Sequence, residues 1–172
     1  MSNSTYLLRV SFDADQLGNQ LVWAIVDGEP DQPNAFQRTG WAAGGLQFAQ
    51  GDTLGFEVVG YGNPTTFAGF AITDATLITL PAPYVRPLFS PSPFDCDQAT
   101  FDLDDFNPTS CVVAQNLKIC SAHSPEILTV VEPAGIWKFS FVVTVQITRM
   151  DGGVETRVFS FDPMIAVGKD WP

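Results

Sequence analysis

The most chemically versatile residues of this chain lie close together, in Lys118-Ile119-Cys120-Ser121-Ala122-His123-Ser124-Pro125, which holds the single histidine and one of three cysteines. Any Ser-His-Asp or Cys-His mechanism must therefore use His123. Cys120-x-x-His123 offers two metal ligands, and Cys96 or Cys111 a third. A structural zinc site, however, carries two recognisable ligand pairs. The polar run reads as a loop with a surface histidine beside an inert thiol, and neither a metal nor a cofactor is expected.

Carboxylates are the other chemistry on offer. The densest stretch runs from Asp95 to Asn107 with five aspartates, but it lacks the spacing, central glycine and terminal glutamate of an EF-hand loop. In a strand, Asp102 and Asp104 share one face and Phe101 and Leu103 the other, as on a half-exposed edge strand whose charge discourages aggregation. Glycosidase-type acid pairs are defined by separation in space and cannot be picked from an acidic chain. Gly44-Gly45 and Gly60-Tyr61-Gly62-Asn63-Pro64 lack the strand-to-helix context of a phosphate loop and read as turns.

Two further acids, Glu132 and Asp162, each precede a proline at an end of a long hairpin. The structural reading is local turn capping, since proline forces the preceding residue extended. The functional reading has both acids meeting at one rim to bind something polar. With Arg38 and Trp41 of Arg38-Thr39-Gly40-Trp41, a loop with an aromatic suited to a sugar face, they complete the candidate rim and ligand residues.

The elements that must position these residues are strands. Trp137, Phe139, Phe141, Val143, Val145 and Ile147 occupy alternate positions, a strand with one buried face. Met150-Asp151-Gly152-Gly153 turns the chain into Val154–Phe161. Pro163 must end or bulge that second strand, with a short strand over Met164–Val167 beyond it. Strands are also expected at Tyr6–Phe12, Leu21–Val26, Leu46–Ala49, Thr53–Tyr61, Phe67–Ile72, Ala75–Leu80, Ala99–Leu103, Cys111–Gln115 and Ile127–Val131. No amphipathic helix competes with them. Many short strands with turns between them predict an all-β fold, an immunoglobulin-like antiparallel β-sandwich, with a small barrel as the alternative.

The 172 residues fit one domain, 1–172, with a proline-rich connector at 81–95 running over the surface. A domain boundary there is the rival reading. Hydrophobic residues make up 45% and charged residues 16%, a core-forming composition. A net charge of −11 with scattered basic residues argues against nucleic acid and anionic membranes as partners. No secretory signal or run of about eighteen apolar residues is found, so a cytoplasmic protein is expected. Three cysteines fit free, mostly buried thiols in a reducing compartment, with a Cys111–Cys120 disulfide left open.

Glu132-Pro133 before Trp137 and Asp162-Pro163 after the returning strand resemble the DP-EP family, bacterial proteins of unknown function. The resemblance spans about forty residues and implies an immunoglobulin-like β-sandwich; it brings no activity, cofactor or site residue. The ending is also similar to inclusion-body proteins of the PixA and AidA type. With no catalytic constellation and abundant aromatic residues, Trp41 and Trp171 among them, the expected function is association, with a second copy or a protein partner, without catalysis. A small-ligand or carbohydrate-binding module is the alternative; an enzyme, tested by His123→Ala, is the third and is left open.

Overall fold

The computed structural model describes residues 3–27, 45–82, 90–95, 97–103 and 105–168, and among these described residues twelve strands form two sheets. The first sheet contains β1 (Thr5–Asp13), β2 (Val22–Asp27), β4 (Thr53–Gly62), β7 (Ser110–Ala114) and β8 (Leu117–His123) in the order β2-β1-β4-β8-β7, with the short β9 (Leu128–Thr129) on β4. The second has the order β3-β12-β10-β5-β6, built from β3 (Leu46–Phe48), β12 (Met164–Val167), β10 (Gly135–Arg149), β5 (Phe67–Pro81) and β6 (Thr100–Asp102), with β11 (Val154–Phe161) also on β10. No described residue is helical.

The all-β expectation holds, but both sheets are mixed. β1 runs parallel to β4, and β12 runs parallel to β3. Parallel neighbours need a crossover, and here the chain leaves β1 through β2 and β3 before returning as β4. The purely antiparallel arrangement expected from short hairpin spacings is corrected accordingly.

β10 organises the second sheet. Its alternate residues Trp137, Phe139, Phe141, Val143, Val145 and Ile147 are all fully buried, as the sequence period predicts. β5 pairs along one side of it, while the other side is shared: β12 takes Gly135–Lys138 and β11 takes Phe141–Thr148. Asp162-Pro163 is the break between the two. The sheets meet through aromatic rings, Phe12 on Phe70 and Phe159 at 5.1 and 4.8 Å and Phe56 on Phe141 at 5.9 Å between centroids.

Four local expectations change. β5 is one strand, because Thr73 is absorbed as a bulge opposite Thr144/Val145 and flips the inward phase from Phe70 and Ile72 to Ala75 and Leu77. Gly60 and Gly62 are strand residues rather than turn residues. A Cβ on Gly60 would lie 2.7 Å from Phe12 Cζ and 2.8 Å from Phe70 Cδ1, so the glycine makes room for two core rings. Ser90, Ser92 and Phe94 of the proline-rich segment are buried, and Trp137 Nε1 donates to Ser90 O at 3.2 Å. The fourth change is Leu117–His123, expected as a loop, which forms β8.

Candidate functional site

β7 and β8 form a two-residue hairpin whose turn residues Gln115 and Asn116 both have positive φ, 49° and 65°. The inward residues of β8 are the small Cys120 and Ala122, so the segment lacks the bulky alternation that marks other strands. Cys111 lies directly opposite Cys120, and the two form a disulfide with Cα atoms 4.1 Å apart. The expectation of free thiols is overturned at this pair, because the register brings the two side chains to the same inward row. Cys96 lies outside the described residues.

Strand register then assembles a row that no local motif announces. Arg9 on β1 pairs with Glu57 on β4, and Glu57 pairs with His123 on β8. All three point away from the core. The Glu57 side chain is only 6% exposed, against 45% for Arg9 and 51% for His123. Arg9 Nε donates to Glu57 Oε2, and His123 Nε2 stands 3.4 Å from Glu57 Oε1. One covered carboxylate is thus held between a guanidinium and an imidazole, which offsets the desolvation a lone buried carboxylate suffers.

The surface around this row mixes Ser11 and Ser121, its direct neighbours, with exposed apolar residues. Val22 and Ala24 on β2, Val59 on β4, Ile119 and Leu117 on β8 and Val112 on β7 share the same outward parity. Val22 and Val112 are 64% and 63% exposed. At the upper end a groove of about 300 Å³ runs between Leu7, Val26, Gly55, His123 and Ile127. Gly55 is part of its lining, and a Cβ there would meet only ordinary contact, 3.6 Å from Leu7 Cδ1. Ser124 Oγ beside it accepts from Glu126 N at 3.1 Å.

As an arrangement for chemistry, the row binds and balances charge; no Ser, Thr or Cys side chain among the described residues hydrogen-bonds His123. An open groove of about 780 Å³ beside β6 is lined by Asp97, Asp102 and Glu126, yet no three such groups among the described residues are placed to hold a metal ion. Asp102 is exposed and Phe101 and Leu103 are buried, the alternation expected of this edge.

Glu132 and Asp162 are separated by β12. Asp162, exposed, precedes its start beside Lys138; Glu132, half-buried, lies beyond its other end at Gly135 and Val167, with its N–H donating to Pro93 O at 3.2 Å. Arg38 and Trp41 lie outside the described residues. Sequence reasoning missed Arg9 and Glu57, for which the only local signal is a charged residue at an outward position of an otherwise apolar strand.

No family model matches the chain, and no curated protein matches it. Among solved structures, it is similar to the crystal structure of the inclusion body protein PixA from Burkholderia cenocepacia J2315. That match has 12% identity and a TM-score of 0.44, over 98% of this chain and 97% of the other. Among the described residues no helix is long and apolar enough to cross a membrane.

Proposed function

We propose that residues 1–172 form one immunoglobulin-like unit that acts by association, without catalysis, through the outer face of the sheet β2-β1-β4-β8-β7. The observation that carries this reading is the exposure of Val22, Val112 and Leu117 on that face, where Arg9 balances the covered Glu57 and Asp13 adds one further charge, in a chain of net charge −11. An apolar surface of this kind on an acidic protein favours another neutral, apolar surface as its partner. The negative charge disfavours nucleic acid and anionic membranes. A cytoplasmic setting requires that the Cys111–Cys120 bond cycle or stay reduced, since such bonds persist in oxidising surroundings.

The test is sedimentation of the wild type and of Val22→Asp at low and high concentration. Association that weakens in the variant at unchanged thermal stability supports the face. A wild type that sediments as a monomer throughout leaves only a hetero-partner, and an unchanged variant removes the face.

The groove at Gly55 favours a second reading, a small-ligand or carbohydrate module, since its volume lies at the lower end of ligand sites. Native mass spectra of the purified protein and of Gly55→Val decide it: extra mass lost in the variant supports a ligand, and a bare wild type that no glycan stabilises ends the reading.

A further inference from the structure

We infer that the free edge of β7 is a self-pairing edge, which joins two copies of this chain into one continuous antiparallel sheet. The inference rests on the association reading above only in that the chain self-associates, and it places the contact at the sheet's β7 edge, away from Val22 on β2.

Among the described residues β7 ends its sheet, and all five of its residues, Ser110 to Ala114, are exposed. Edge strands are usually blunted by charge, proline or shortness. Three other edges among the described residues follow that rule: β3 and β6 have three residues each, β6 carries Asp102, and β11 carries Glu155 and Arg157; β2, the opposite edge of the same sheet, is charged only at its last residue, Asp27. β7 carries no charge and no proline, and its Val112 and Val113 are 63% and 64% exposed.

The backbone phase specifies which groups are free. In a two-residue hairpin, Ala114 and Leu117 form the hydrogen-bonded pair that closes the turn. Val112 and Ser110 therefore bond to β8 as well, while Val113 and Cys111 do not. The 4.1 Å separation of the Cys111 and Cys120 Cα atoms agrees, since non-hydrogen-bonded pairs are the closer kind. Hence the N–H and C=O groups of Cys111 and Val113 point outward from the sheet.

A two-fold axis at Val112 uses those groups and no others. It sets Cys111 against Val113 of the second copy in two reciprocal hydrogen-bonded pairs, Val112 against Val112, and Ser110 against Ala114. Every side-chain pair across the seam is uncharged. Two chains of net charge −11 repel over most of their surfaces, and the only formal charge between Ser110 and Ala122 is the cation Lys118, of the sign that eases approach of an acidic copy. Self-complementarity of this kind is what an isologous dimer requires.

The experiment is sedimentation with residue-resolved amide exchange on the oxidised full chain, for the wild type, Val113→Pro, Val112→Lys and Val22→Asp. Val113→Pro removes a donor from the free edge and none from the β7–β8 ladder, so the fold survives it. The expected result is a wild-type dimer in which the Cys111 and Val113 amides are protected, with dissociation constants raised at least about tenfold by Val113→Pro and Val112→Lys. A wild-type monomer whose Cys111 and Val113 amides exchange freely overturns the proposal. So does protection of those amides only by an added unrelated strand peptide. A dimer lost in Val22→Asp but intact in Val113→Pro overturns the edge while sparing the outer face.

Discussion

Glu57 faces Arg9 across the parallel pair β1–β4, with the carboxylate almost wholly removed from water and the guanidinium half in it. The pair is asymmetric in what each deletion leaves behind. Arg9→Met abandons a covered carboxylate and is expected to cost about 1–3 kcal/mol. Glu57→Leu frees an arginine that can turn to solvent and costs less. Urea unfolding of both single variants and the double variant checks this: a double variant as unstable as the sum of the two singles would sink it.

Cys111 and Cys120 close a loop with a sequence separation of nine. Reduction, or Cys111→Ser with Cys120→Ser, is expected to lower stability by about 2–3 kcal/mol. Mass spectrometry of the alkylated protein and denaturant midpoints with and without reductant measure both bond and effect. Quantitative alkylation of all three cysteines in unreduced protein would contradict the bond.

Gly60 lies where two core rings close over the backbone, Phe12 and Phe70 with centroids 5.1 Å apart. Gly60→Ala is expected to destabilise by about 1–3 kcal/mol through overpacking, whereas Gly55→Ala, in open contact on the other face of the same strand, changes little. Thermal denaturation of the two variants separates them.

Glu155 is held below its ordinary value near 4.5, chiefly by the hydrogen bond from Arg149, with Arg157 adding to it against partial desolvation. Arg149 in turn is raised, first by its hydrogen bond to Asp15 at 2.6 Å. A carboxyl whose folded value is depressed contributes stability that is present above its unfolded value and lost as pH falls through the folded one. Stability should therefore decline below about pH 4.5, and Glu155→Gln should make that decline shallower. Parallel pH–stability curves for wild type and variant would remove Glu155 as a cause.

Hydrophobic period alone determined the all-β class, the buried row of β10 and the break at Asp162-Pro163, because side-chain alternation and the missing proline N–H act within a few residues. β8 escaped that reading because its inward residues are small and its turn, Gln115-Asn116, carries no glycine. Parallel pairing, the bulge at Thr73, the meeting of Cys111 with Cys120 and the row Arg9–Glu57–His123 were decided only by tertiary structure. Each depends on register between strands distant in sequence, Arg9 and Glu57 being 48 residues apart, and register is set by how two whole sheets bury their inner faces rather than by any segment on its own.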